Sequence, residues 1–300
     1  MNVLVAGGTG FVGQHLCREL VDRGHDVTAL ARDPDPTSLP PGVDAAMGDV
    51  TAYDSMEAAF EGRDVVYNLV ALSPLFKPSG GDEMHDRIHR GGTENCLRAA
   101  AEHGVDRFVQ MSALGADPDG DTHYIRAKGR AEELVRETDL DWTIFRPSVV
   151  FGEGSEFLSF TRKLTPPVLA PLPGGGKTKF QPIHVDDLAG MLADSIEDDA
   201  HTGETYEIGG PDVLRLADVA KLARKAEGHS VRIVSIPMGL AKVGLTVADA
   251  IPGAPMGSDQ YRSLQVENTT STNDIDAFGV EPDDLTTLAE YLEISQEYGP

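Results

Sequence analysis

Residues 1–23 read MNVLVAGGTGFVGQHLCRELVDR. An apolar run from Val3 to Ala6 leads into GGTGFVG, and beyond that loop Val12, Leu16 and Leu20 fall on one helical face. A strand, a glycine loop and an amphipathic helix in that order predict a phosphate cradle. Gly7 and Gly8 permit the tight turn, Gly10 lets the backbone approach an anion, and Gly13 allows close packing of helix on strand. Thr9, Phe11 and Val12 carry backbone amides at the helix start, where free N–H groups and the helix dipole favour the pyrophosphate of a dinucleotide.

The alternation continues outward from this unit. Strand patterns occur at Asp26–Leu30, Val65–Leu69, Arg107–Met111 and Trp142–Phe145, with helical patterns near Tyr53–Phe60, at Gly91–His103 and after Thr122. This order predicts an α/β chain with a doubly wound parallel sheet of Rossmann type, residues 1–150 forming the NAD(P)-binding domain. After Phe151 the pattern loosens into PPVLAPLPGGG, and regular signals return at Val185–Ile196 and Tyr206–Ile208. Leu216–Glu227 reads as a helix with one apolar stripe, and Thr287–Tyr298 as a last helix. Residues 151–300 are expected to build a smaller substrate lobe, with elements that return to the first sheet.

Acidic residues number 49 against 25 basic ones, a formal charge of −24, and they are dispersed along the chain. Such a surface repels nucleic acid and anionic lipid. It tolerates its own repulsion best where salt screens it, which suggests a halophilic cytoplasm. The two cysteines, Cys17 and Cys96, lie within apolar helical patterns and read as buried small hydrophobes in a reducing compartment. With no charged leader and no apolar stretch of membrane-spanning length, the expected setting is cytoplasmic, without a membrane span.

Several residues carry candidate chemistry. An NAD-preferring site places an acidic residue about twenty positions beyond the glycine loop. Here the second strand ends in Arg32, which can pair with a 2′-phosphate, followed by Asp33. The reading is NADP, with NAD as the alternative. Asp49 and Val50, in the triplet GDV after the third strand, are placed toward the adenine, and Asn68 and Ala71 stand at the carboxyl edge of VVYNLVA. In HYIRAKGRAEELV, Tyr124 and Lys128 are four residues apart on one helical face. An ammonium beside a phenol favours the phenolate, so the pair can move a proton at a carbonyl oxygen, while Ser112, ending RFVQMS, can hold that oxygen.

Three decoys are set aside. GGGKT at Gly174–Thr178 lacks the first phosphate-loop glycine, since Pro171 stands there, and reads as a loop. His184, Asp186 and Asp187 have no further ligands at zinc-like spacing, so no metal is expected. IPMGLAKVGLTVADAIPGAPM contains Lys242 and Asp249, so its apolar stretch is too short to span a bilayer.

With these residues in place, the chain resembles the extended and atypical branches of the short-chain dehydrogenase/reductase superfamily over nearly its whole length. The likeness rests on GGTGFVG and the Tyr124/Lys128 pair, supported by FRPSVVFGEG, FQPIHVDDLA and TYEIGG. It implies that Pro147 and Ser148 lie near the nicotinamide. Ser112 precedes Tyr124 by 12 positions, a shorter interval than in typical extended members. Within the superfamily the chain is most similar to the branch of the nucleotide-binding accessory subunit of respiratory complex I and its prokaryotic relatives. PGAPMGSDQYRSLQVEN and FGVEPDDLTTLAEYL carry that similarity. The resemblance implies an NADPH-preferring oxidoreductase acting on a carbonyl or quinone-type small molecule. One alternative is a non-catalytic NADPH-binding accessory or assembly protein associated with a respiratory NADH dehydrogenase. The other is a nucleotide-sugar epimerase or dehydratase, against which Arg32 argues.

Overall fold

The computed structural model describes residues 1–240, 258–263 and 265–294. In chain order the first half runs β1 (Asn2–Ala6), α1 (Phe11–Asp22), β2 (Asp26–Ala31), β3 (Val43–Met47), α2 (Tyr53–Met56), β4 (Val65–Asn68), α3 (Glu83–His85), α4 (Gly92–His103), β5 (Arg107–Met111), α5 (His123–Arg136) and β6 (Asp141–Pro147). The second half adds β7 (Val150–Phe151), α6 (Glu156–Leu164), β8 (Val168–Pro173), β9 (Lys179–Phe180), β10 (Ile183–His184), α7 (Val185–Asp194), β11 (Glu204–Ile208), β12 (Leu214–Arg215), α8 (Leu216–Ala226) and β13 (Val231–Ile236). The chain divides into two compact units. The first comprises Met1–Ser73, Pro78–Pro147 and Val185–Glu207, and the second Pro74–Lys77, Ser148–His184 and Ile208–Pro300.

The first unit is built on a seven-stranded sheet in the order β11-β6-β5-β4-β1-β2-β3, the doubly wound sheet expected from the sequence. β1 pairs in parallel with both β2 and β4, with Val3 opposite Val27 on one side and Val65 on the other. The strand order reverses between β1 and β4, and open α/β sheets bind ligands at the carboxyl ends of the strands flanking such a reversal. The central strands are buried on both faces, which is why VLVA and VVYN are nearly continuous apolar runs. Leu4, Ala6, Val66 and Phe108 join one core with Met56, Phe60, Cys96 and Ile144. α1 buries Leu16, Cys17 and Leu20 and packs against α7, which buries Leu188, Met191 and Leu192. The Tyr67 hydroxyl donates to the Leu192 carbonyl at 2.8 Å, and Arg23, at the C-terminal cap of α1, pairs with Asp194 at 2.6 Å. The segment expected as a helix at Tyr53–Phe60 is one turn of α-helix followed by a 3₁₀ turn, Glu57–Phe60.

The second unit has its own core of Phe151, Phe157, Leu158, Leu172, Phe180, Leu216, Val219 and Leu288. Here the structure departs from the sequence reading. Within PPVLAPLPGGG, residues Val168–Pro173 form β8, paired in parallel with β13 from Val168↔Val231 to Pro173↔Ile236. Two prolines hide the pattern. They are tolerated because each strand of a two-stranded ribbon has a free edge, where a missing N–H breaks no ladder bond. The last helix spans Leu288–Tyr291 among the described residues, and 295–300 lie outside them. Most of IPMGLAKVGLTVADAIPGAPM, the part at 241–256, also lies outside the described residues. Among those described, no helix is long and apolar enough to cross a membrane.

Candidate functional site

The loop after β1 is shaped by close approach. Gly7 sits at φ +85°, and a Cβ there would stand 3.2 Å from the backbone of Leu69 and Val70, just beyond β4. A Cβ on Gly8 would meet the Ala29 methyl at 2.6 Å, and one on Gly13 would meet the Gly7 carbonyl oxygen at 2.2 Å. Only glycine lets the loop after β1 pass so close to β2, to the chain beyond β4 and to α1. α1 begins at Phe11 with Gly10 as its N-cap, with no side chain capping it and no acidic residue in its first turn. Its leading amides, including those of Phe11 and Val12, therefore have no local carboxylate to satisfy them. Thr9 is held by its carbonyl, which accepts from the Gln14 side chain at 3.0 Å. This bare cradle at a helix start fits a dinucleotide pyrophosphate.

The residues expected around the cradle divide into two groups. Arg32 follows β2, is exposed, and makes no ion pair among the described residues, so it is free to meet an anion. Ala71 is exposed beyond the end of β4. The others are engaged within the protein. Asp49 braces its own turn, accepting from the Thr51 amide at 2.8 Å and the Thr51 hydroxyl at 2.9 Å. Val50 is buried against Gly92, and its carbonyl accepts from Asn95 at 2.7 Å. Asn68 is buried, its amide donating at 3.0 Å to both Thr93 and Gln110. The Pro147 carbonyl accepts from the Leu114 amide at 3.1 Å. Ser148, in the second unit, donates to Asn268, with contacts of 2.9 and 2.8 Å to its backbone and side-chain oxygens. Buried polar groups find partners wherever the chain supplies them, and here the partners come from distant sequence.

Tyr124 and Lys128 lie on one face of α5, as their spacing predicts. The Lys128 Nζ is 5.9 Å from the Tyr124 ring centre and donates to the Met111 carbonyl, at the end of β5, at 2.8 Å. Burial pushes the Lys128 ammonium down to about 8, partly offset by the carboxylate of Glu132. The expected lowering of the tyrosine is reversed: burial pushes the Tyr124 phenol above its ordinary value. Desolvation wins because the ammonium points at a carbonyl and not at the phenol oxygen. Ser112 departs furthest from expectation. Its hydroxyl donates to the buried Glu132 carboxylate, so its proton is not directed at a substrate oxygen.

Glu132 escaped the sequence reading. It extends the run Tyr124, Lys128 by one more step of four along α5. It accepts from Arg146 at 2.9 and 2.6 Å and from Arg136 at 2.8 Å. The continued interval of four was the available signal. Two histidines were also missed. Between α3 and α4, Asp86–Gly91 form a π-helical turn; His85, which ends α3, and His89, within the turn, are both buried. Their rings stack 5.6 Å apart, and both stand edge-on to Tyr124, at 5.6 and 5.3 Å. Their interval of four only hints at this, because a π turn has no simple sequence signature.

The comparisons with known proteins bear on the cofactor and the fold. The sequence model described as NAD(P)H-binding matches residues 7–199. The chain belongs to the NAD(P)H-binding family. It is 30% identical over 285 residues to the mitochondrial NADH dehydrogenase [ubiquinone] 1 alpha subcomplex subunit 9 of Arabidopsis thaliana, an alignment covering 90% of this chain and 69% of that one. It is 28% identical to the NAD(P)H azoreductase of Xenophilus azovorans over 81% of this chain and 80% of the relative. Among solved structures, the UDP-glucose 4-epimerase of Thermus thermophilus in complex with NAD superposes with a TM-score of 0.72. It shares 20% identity, over 98% of this chain and 97% of the other, a likeness of fold. The fold of this NAD(P)H-binding protein is thus that of an epimerase, and its relatives include mitochondrial subunits of NADH dehydrogenase [ubiquinone] and NADH-ubiquinone oxidoreductase.

Proposed function

We propose that this chain is an NADPH-preferring oxidoreductase that transfers reducing equivalents to or from a carbonyl or quinone-type small molecule. The observation that carries the proposal is the Tyr124/Lys128 pair on α5, in the same unit as the bare glycine cradle. The loop Gly7–Gly13 and the start of α1 would hold the pyrophosphate, and the exposed Arg32 would pair with the 2′-phosphate. A nicotinamide, when bound, supplies or accepts the hydride. Tyr124 handles the proton at the substrate oxygen. Its raised phenol stays protonated at neutral pH, which suits a proton donor in the reductive direction. Lys128 tunes it through space and not through a bond: its Nζ, 5.9 Å from the ring centre, places a positive charge that stabilises the phenolate left after the proton departs. A cytoplasmic setting, suggested by two buried free thiols, belongs to the same reading.

A second reading is favoured by the 30% identity to a complex I subunit and by the engagement of Ser112 with Glu132. In it the chain binds NADPH to stabilise a fold that serves as an accessory or assembly surface for a respiratory NADH dehydrogenase. Tyr124→Phe separates the two. An enzyme loses NADPH consumption across a screen of quinones, ketones and aldehydes, whereas a scaffold keeps its thermal stability and its partner binding. Turnover by the variant equal to that of the parent protein would refute the role of Tyr124.

A further inference from the structure

The β4 loop and Tyr124 are tied together by one side chain. His89 is buried at the π-helical turn Asp86–Gly91, and its Nε2 accepts from the backbone N–H of Leu72 at 3.4 Å. Leu72 lies just past β4, beside the strand-order reversal. An imidazole nitrogen that accepts must carry the lone pair, so in the neutral ring the proton is on Nδ1. The edge-on contact at 5.3 Å sets the ring of His89 against that of Tyr124, and His85 stacks behind it. Burial, the Lys128 ammonium and His85 outweigh the opposing backbone contact at Leu72 and hold His89 well below the ordinary imidazole range, so the neutral ring persists. A continuous α-helix would place residue 89 at a different angle, and π turns of this sort frequently mark functional positions.

We propose that His89 is a positioning residue for Tyr124, its Nε2 anchoring the Leu72 amide of the β4 loop while its ring fixes the orientation of the phenol. The inference rests on the reading of Tyr124 as the proton-handling group. It gives the π-helical turn a purpose: one imidazole sets the loop beside the cofactor cradle and the reactive phenol in a single arrangement. Gln can reproduce an acceptor near the position of Nε2, whereas Leu fills the volume without one.

The test uses the full-length protein with NADPH bound, as the parent and as His89→Gln and His89→Leu. Two signals are read by NMR: hydrogen exchange of the Leu72 amide, and the hydroxyl-bearing ring carbon of Tyr124, assigned by its loss in Tyr124→Phe. In His89→Leu the Leu72 amide should exchange roughly fivefold faster, the loss of about one neutral hydrogen bond, and the Tyr124 carbon should move toward its free-tyrosine position. His89→Gln should restore the Leu72 protection. A His89→Leu variant that moves neither signal, or only one of them, overturns the proposal, as does failure of Gln to restore protection. Should His89→Leu not fold, the ring nitrogens of the parent protein decide: an unprotonated Nε2 supports the proposal and a protonated Nε2 overturns it. Unaltered turnover in Tyr124→Phe would overturn the catalytic reading without touching these signals, so the two failures are distinguishable.

Discussion

Glu132→Gln is the perturbation whose size the structure specifies best. The carboxylate is almost wholly buried and accepts two bonds from Arg146, at 2.9 and 2.6 Å, one from Arg136 at 2.8 Å, and the Ser112 hydroxyl. Glutamine keeps the shape but turns an NH₂ toward one of the guanidinium donors and removes the charge facing both arginines. A hydrogen bond to a charged group contributes about 1.5–3 kcal/mol, so losing one and weakening the other should cost ~3 kcal/mol, in line with the removal of one partner from a buried pair. Arg136 adds less than about 1 kcal/mol, because its side chain is more than one-third exposed. Urea unfolding at pH 7 would measure the difference, and the double variant with Arg146→Met should recover part of the loss, since no guanidinium is then left facing the amide. A loss below about 1 kcal/mol, or strictly additive effects of the two changes, would refute the view that Glu132 and Arg146 form one buried unit.

Other outcomes follow from the same geometry. Arg32→Ala should weaken NADPH binding by roughly tenfold or more while sparing NADH, by the loss of one charge-assisted contact; calorimetric titration checks this, and equal losses for both coenzymes would remove Arg32 as the selector. Lys128 sits at about 8 against 10.5 in the unfolded chain, so the unfolded state binds the extra proton between those values. Stability should therefore rise with pH through that window by roughly 3 kcal/mol from this group, and the rise should vanish in Lys128→Met; parallel urea midpoints for parent and variant would contradict the burial of a strained ammonium. The net charge of −24 predicts that stability increases with KCl concentration as the acidic surface is screened; full stability in dilute buffer would remove the argument for a saline cytoplasm.

The sheet and the cradle were legible in the linear chain because both depend on local information. β1, the glycine loop and α1 are contiguous, and the apolar alternation that marks β5 and α5 repeats within a few residues. Tyr124 and Lys128 were visible for the same reason, since an interval of four on a helix is a statement about one face. What escaped was whatever depended on a partner far along the chain. Ser112 looked free until α5 brought Glu132 beneath it, Asn68 until Thr93 and Gln110 closed around it, and Ser148 until Asn268 arrived from 120 residues away. β8 was masked because prolines are acceptable only at an edge, and an edge exists only once strands have paired. Composition and periodicity thus determined that this chain would wind a parallel sheet around a glycine turn. Tertiary packing alone decided which polar side chains remain available for chemistry, because a buried donor bonds to whatever acceptor the fold brings within reach.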